Sequence, residues 1–173
     1  MQSKPRNPLD LPQPQGRLYE DFEVGARFPH WPGRTILEAD NTWFTLLTMN
    51  THPVHFDASY AHGETFGRPL VNSLLTLAIV TGMSVRDTSQ RAVANLGWSE
   101  IRLVAPVFAG DTLYAESTVT GMRLSASRPG EGIVALHTTG FNERGTTVVE
   151  FDRSFLVPCR GGAAGSRAGS PAP

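Results

Sequence analysis

Residues 74–85 form a helix-length run that is apolar almost throughout, interrupted only by Thr76, Thr81, Gly82 and Ser84. A helix with hydrocarbon on nearly every side has to be enclosed, because it has no face to offer to water. Asn72 stands just ahead of it as a helix cap, with Pro69 marking the preceding break. After Asp87 the pattern changes to period two, over residues 92–104, 111–123, 132–142 and 146–157. The junctions A-P-V-F-A-G-D, S-R-P-G-E-G and N-E-R-G-T are rich in turn residues, which predicts an antiparallel meander of hairpins. The expected fold class is α+β, a curved antiparallel sheet wrapped around one central buried helix.

The chain has 173 residues, enough for one domain with a real core, and 40% of them are apolar and 18% charged. Its net charge of -1 supplies no basic field for a nucleic-acid backbone, so nucleic acid is not an expected partner. Cys159 has no second cysteine to pair with, which leaves a reducing, cytoplasmic setting as the expectation. Residues 1–17 carry four prolines and no apolar run, and read as a disordered segment rather than a signal or membrane anchor. Residues 159–173 read as a disordered Gly/Ala/Ser/Pro tail, leaving a folded domain over residues 18–158.

Upstream, Phe22, Val24, Ala26 and Phe28 alternate as an early strand would. Trp43, Phe44, Leu46, Leu47 and Met49 suggest an amphipathic helix capped by Thr35 or Asp40. Residues 50–69 then read as a long ordered loop, with one helical turn near residues 58–62. The loop opens with N-T-H-P-V-H-F-D, which crowds Asn50, His52, His55 and Asp57 together. His55 is the best candidate base, since an imidazole takes a proton from water near neutrality. H-x-x-H does not put two ligands on one helical face and no later cluster completes a set, so no metal is expected.

At Asn72-Ser73, the unpartnered amides at the positive end of a helix suit an oxygen that becomes negative during reaction. Arg34, Arg68 and Arg128 sit beside glycine or proline, where a fixed guanidinium can grip a carboxylate or phosphate. G-x-G-x-x-G and G-x-S-x-G are both absent, which argues against a dinucleotide enzyme and a serine hydrolase.

The H-P-V-H-F-D loop, the P-L-V-N-S start of the apolar helix and the later P-V-F-A-G-D-T turn together resemble the MaoC-like, (R)-specific enoyl-CoA hydratase family over residues 19–157. The resemblance implies a hot-dog fold and a hydro-lyase that adds water to an α,β-unsaturated acyl-CoA, reversibly a 3-hydroxyacyl-CoA dehydratase, with no cofactor. It implies His55 as the catalytic histidine, Ser73 as the oxyanion donor through its amide, and Asn50 where the family carries its catalytic aspartate. His52 stands where the family has asparagine. An amide cannot accept a proton as a carboxylate does, so the expectation is that His55 acts as sole base and Asn50 orients the water. Asp57 or Asp40 supplying the missing charge is the alternative.

The block from Asn41 to Asp57 with F-G-R-P-L-V-N-S resembles a branch acting on branched C5-dicarboxylyl-CoA substrates such as mesaconyl-CoA or itaconyl-CoA. On that basis Arg68 is expected to bind the free carboxylate, with Asp57, Asn72 and Arg128 as further substrate-binding residues. The expected partners are the acyl-CoA thioester and a second copy of the chain in a homodimer, because a curved sheet leaves an edge to pair. A hot-dog acyl-CoA thioesterase and a non-catalytic acyl-CoA-binding subunit stay open as rivals.

Overall fold

A computed structural model describes residues 16–162. Most of the expected terminal segments lie outside the described residues. Five strands, β1 (Arg27–Thr35), β2 (Ala94–Leu103), β3 (Thr112–Leu124), β4 (Glu131–Asn142) and β5 (Thr147–Pro158), form one antiparallel sheet in the order β1-β3-β4-β5-β2. Helices α1 (Glu38–Leu47), α2 (Ala58–His62) and α3 (Ser73–Ser84) lie between β1 and β2 in the chain. The sheet curls around α3, as the hot-dog expectation requires.

Strict alternation along β4 makes this possible: every second residue from Gly132 to Asn142 is buried. Leu113, Ala115, Val149 and Phe151 bring the same inner face against Leu75 and Val80 of α3. At Gly140 the approach is close enough that an added Cβ would lie 2.6 Å from Val80. A second cluster, built on Phe22, Val119, Leu136 and Phe155, closes the other end of the sheet.

Three expectations need correction. The early strand begins at Arg27, not Phe22, because Tyr19–Asp21 coils into a short 3-10 turn and Phe22 packs into the core beyond it. Only β3–β4 and β4–β5 are hairpins, since β2 pairs with β5 at the far edge. The intervening stretch is drawn across the fold by its own bonds: Val71 N–H donates to Val107 O at 2.9 Å, and Leu70 bridges Phe108. Nor is α3 enclosed on all sides. Leu74 is 60% exposed, and Ala78 and Gly82, one and two turns along, are exposed on the same stripe, facing away from the sheet.

A π-helical turn, Val85–Ser89, ends α3 and is tied to the sheet by buried polar groups. His30 Nδ1 lies 3.0 Å from Asp87 Oδ2 and its Nε2 lies 2.9 Å from Ser117 Oγ, which in turn bonds Thr138 Oγ1 at 2.8 Å. Arg153, 4% exposed, donates to Thr88 Oγ1 and Ser89 Oγ at 3.2 and 3.0 Å. Burial holds the Arg153 guanidinium down to about 10, so it is still a cation at neutral pH. Burial also pushes His30 below its ordinary value of 6.5, outweighing the opposing pull of Asp87.

The sign for stability follows. The unfolded chain takes up a proton at His30 as pH falls through 6.5, before the folded chain does. Stability from this group is complete above 6.5 and is lost as pH falls from there to the lower folded value. Thermal melts between about pH 7.5 and 5.5 are expected to show a steeper fall in Tm for the wild type than for His30→Gln. Parallel curves would contradict this account.

Candidate active site

Two local devices aim the histidine loop. At the start of α1, Asp40 accepts the Leu37 N–H at 2.8 Å and binds Arg34 Nη2 through both oxygens at 2.8 Å. The N-cap position is Leu37, so neither expected residue occupies it: Asp40 lies inside the first turn and holds the Leu37 N–H from there, while Thr35 ends β1 and pairs with Thr112 Oγ1 at 2.7 Å. At the other end, Met49 N–H donates to Leu46 O and Asn50 N–H to Thr45 O, at 3.1 and 3.0 Å. This is the Schellman closure, and it forces the residue between into the left-handed region. Met49 adopts it at φ 59 although glycine is the usual occupant, and this sharp turn starts the loop at Asn50.

Within the loop, Asn50 Oδ1 accepts His52 N–H at 3.0 Å, and His52 Nδ1 accepts Val54 N–H at 3.2 Å. Pro53–His55 forms a 3-10 turn, and Asp57 Oδ1 caps α2 by accepting Tyr60 N–H at 3.0 Å. The Tyr60 ring packs edge-on to His52, and a hydrogen bond with the Glu64 carboxylate raises its phenol above the ordinary value, so it stays protonated. His55 Nδ1 lies 2.8 Å from Leu70 O. A carbonyl has no proton to give, so Nδ1 carries it and Nε2 keeps a free lone pair.

His55 lines a cavity of about 270 Å³ with Glu38, Asn41, Thr42, Arg68 and Phe108. Arg68 lies over the Phe108 ring, 3.7 Å from its centroid, and pairs with no carboxylate among the described residues. A second cavity of about 220 Å³ is lined by Ser73, Thr76, Phe66, Leu70, Leu103 and Val104. The Phe66 and Phe108 rings, 5.9 Å apart edge to face, stand between the two. At the start of α3, Leu74 N–H goes to Asn72 Oδ1, and Leu75 and Thr76 N–H go to Asn72 O. Among the described residues the Ser73 N–H alone in that turn has no acceptor, leaving it for a ligand at the positive end of the helix.

The expected site residues separate accordingly. His55 and Arg68 share one cavity, and Ser73 faces the adjoining one. Asn50 lines neither, and its Oδ1 is engaged by the loop. Asp40 is taken up by Arg34 and Asp57 by the α2 cap, so neither provides the missing carboxylate at the His55 cavity. Asn72 is 3% exposed with its polar groups satisfied inside the chain, which removes it as a substrate contact. Arg128 lies at the β3–β4 turn, paired with Glu131 at 2.9 Å, and does not line the His55 cavity. Glu38 and Asn41 were missed at the sequence level. With Thr42 they recur at i, i+3 and i+4 of α1, a helical spacing that shares one face. No three His, Cys, Asp or Glu side chains converge as a metal site among the described residues, and no helix there is long and apolar enough to cross a membrane.

A curved antiparallel sheet around a helix, with a histidine loop beside the helix start, defines a hot-dog protein of the MaoC-like class. Residues 11–170 match the family model described as mesaconyl-CoA hydratase, and the chain belongs to that family. The mesaconyl-CoA hydratase of Cereibacter sphaeroides is 35% identical over 86% of this chain and 43% of its own length. The (R)-specific enoyl-CoA hydratase of Rhodospirillum rubrum is 29% identical over 83% of this chain and 93% of its own. Among solved structures, a MaoC domain protein of Chloroflexus aurantiacus superposes with a TM-score of 0.80 at 33% identity, over 99% of this chain and 45% of that one. Rv0216 of Mycobacterium tuberculosis, described as a double hot-dog fold, superposes with a TM-score of 0.76 at 25% identity, over 91% of this chain and 47% of that one. The chain spans under half the length of the mesaconyl-CoA hydratases it matches.

The left-handed Met49 is a measurable strain. Met49→Gly relieves about 1–2 kcal/mol of backbone strain against about 0.5–1 kcal/mol of added unfolded-state freedom, and is expected to raise Tm modestly. Met49→Val is expected to lower it, because a β-branched residue tolerates positive φ worst. Denaturant midpoints in the order Gly, wild type, Val test this; Val at or above wild type would refute it.

Proposed function

We propose that the chain is an enoyl-CoA hydratase, reversibly a 3-hydroxyacyl-CoA dehydratase, acting on a branched C5-dicarboxylyl-CoA of the mesaconyl-CoA type. The carrying observation is the 2.8 Å bond from His55 Nδ1 to Leu70 O, which leaves Nε2 basic in the cavity that also holds Arg68. In the proposed reaction His55 Nε2 takes a proton from water as the oxygen bonds to the β-carbon. The electron pair of the double bond moves toward the thioester oxygen, and the resulting enolate is held by the Ser73 N–H. The same His55 proton then passes to the α-carbon, and atoms and charge balance. His55 is the sole base, and Asn50 supports the loop through its bond to His52 N–H.

The Arg68 guanidinium, without a carboxylate partner among the described residues, supports a substrate with a second, free carboxylate, because a cation stacked on an aromatic ring keeps its donors for such a group. The relatives' names favour the same substrate class. We further read the working unit as a homodimer. β2 exposes Leu96, Trp98, Ile101 and Leu103 at the sheet edge, and the Rv0216 double hot-dog, about half of which this chain matches, supports a second domain there.

Loss of the conjugated thioester absorbance with mesaconyl-CoA, without release of free thiol, is the expected result. Thiol release would favour the thioesterase, and inactivity on mesaconyl-, itaconyl- and crotonyl-CoA would favour an acyl-CoA-binding subunit. His55→Ala is expected to lose ~10²–10⁴-fold in kcat, and full activity in that variant would overturn the assignment. Arg68→Met is expected to lower kcat/KM for mesaconyl-CoA by ~10–100-fold while leaving crotonyl-CoA within about threefold. Equal losses on both substrates would remove Arg68 from carboxylate recognition.

A further inference from the structure

Asn41 is 3% exposed, and each polar group of its side chain is bound to backbone from a different part of the site. Its Nδ2 donates to His55 O at 2.7 Å and to Leu70 O at 3.0 Å. Its Oδ1 accepts Asn72 N–H at 2.8 Å. The carboxamide thus joins the histidine turn, the segment that carries the acceptor for the His55 ring, and the cap of α3. Leu70 O is the shared point, since it receives both His55 Nδ1–H and Asn41 Nδ2–H.

We infer that Asn41 is the positioning residue for the His55 base, fixing the ring's tautomer and orientation through the shared Leu70 carbonyl and registering it against the Ser73 amide. The inference rests on His55 being the base of the proposed hydration. The chemistry of the position is restrictive. Two donors on one atom and an acceptor on the other, on a short stem, is the pattern of a carboxamide. Leucine would strand the His55 carbonyl and the Asn72 N–H and take one of two donors from Leu70 O, and aspartate would turn an oxygen toward both carbonyls. Moving the Leu70 carbonyl moves the acceptor of Nδ1–H, and with it the direction of the Nε2 lone pair. Such a shift acts on the rate of the chemical step rather than on substrate binding.

The test has two readouts. In the unmodified protein, long-range ¹H–¹⁵N correlation of the histidine rings is expected to show His55 as the neutral Nδ1–H form. The Nε2–H form would overturn the inference without any variant. Asn41→Asp keeps an acceptor for Asn72 N–H and removes the clamp on the carbonyls. It is expected to lower kcat by ~10²-fold with KM for mesaconyl-CoA within about threefold, and to abolish the single Nδ1–H pattern of His55. Asn41→Ser removes the clamp without burying a carboxylate, and is read in the same way if the aspartate variant does not fold. Unchanged kcat, or a fallen kcat with an unchanged His55 spectrum, would overturn the proposal. If His55→Ala keeps full activity, the hydratase assignment of His55 falls instead, and the ring spectra still report whether Asn41 orients it.

Discussion

Two backbone units, Leu70 and Val71, hold the candidate site together. Leu70 N–H donates to Val54 O at 3.0 Å, and Leu70 O accepts the His55 ring and Asn41. Val71 N–H donates to Val107 O, and Leu70 bridges Phe108 from the opposite side. The pair works as a two-residue strand, with the histidine turn on one flank and the connection from β2 to β3 on the other. Buried backbone groups need such partners, so the requirement that folds this segment also orients the His55 ring. Immediately after it Asn72 caps α3 and, among the described residues, leaves the Ser73 amide without an acceptor, so the His55 ring and that amide are fixed by one short run of backbone.

The same pair explains what was legible in the sequence and what was not. Local periodicity carried the last three strands and α3, because alternation and an apolar run are properties of contiguous residues. The helical turn expected near residues 58–62 is α2, inside the stretch read as a loop from its composition. The position of β2 was not, since pairing with β5 rather than β3 depends on Val71 and Leu70 capturing Val107 and Phe108 from a distance. The exposed stripe of α3 was missed because Leu74, Ala78 and Gly82 look as core-like as their neighbours, and only the sheet's curvature decides which side it covers. His55 could be singled out by its loop, but its Nδ1–H tautomer is set by Leu70 O, fifteen residues away. Asn41 was invisible for a related reason: a buried asparagine on a helix carries no signal until its three backbone partners converge.

The charges near His55 bear on the missing aspartate. By the resemblance Asn50 stands where the family carries an aspartate; its carbonyl oxygen serves the loop, and Asp40 and Asp57 are both engaged at helix starts. Glu38 is the one carboxylate among the described residues on the wall of the His55 cavity, which Arg68 also lines. In the proposed reaction the substrate itself brings a second carboxylate to Arg68. In that reaction a fixed aspartate at position 50 would add negative charge to the loop that carries His55, near an acyl group that already bears one free carboxylate. The neutral amide preserves the accepting oxygen that shapes the loop and omits that repulsion, which is consistent with a specialised hydratase rather than one that has lost its chemistry.

The edge of the sheet links this site to the proposed dimer. Leu103 and Val104, at the end of β2, form part of the wall of the Ser73 cavity, and both are more than half exposed. An apolar edge strand with unpaired backbone groups is a liability in a lone domain. A second hot-dog domain seated along β2 would pair that edge, cover Leu96 and Trp98, and complete the wall beside the Ser73 amide. Water would then be excluded where the enolate forms, and an amide-to-oxyanion bond is stronger in a drier site. The relatives of twice this length carry room for both domains in one chain, whereas in the proposed homodimer the second copy supplies the same cover. The His55 side of the site is held by bonds within one chain, whereas in the proposed dimer the Ser73 side would be enclosed by pairing, so pairing would control the rate of the chemical step more than the orientation of His55.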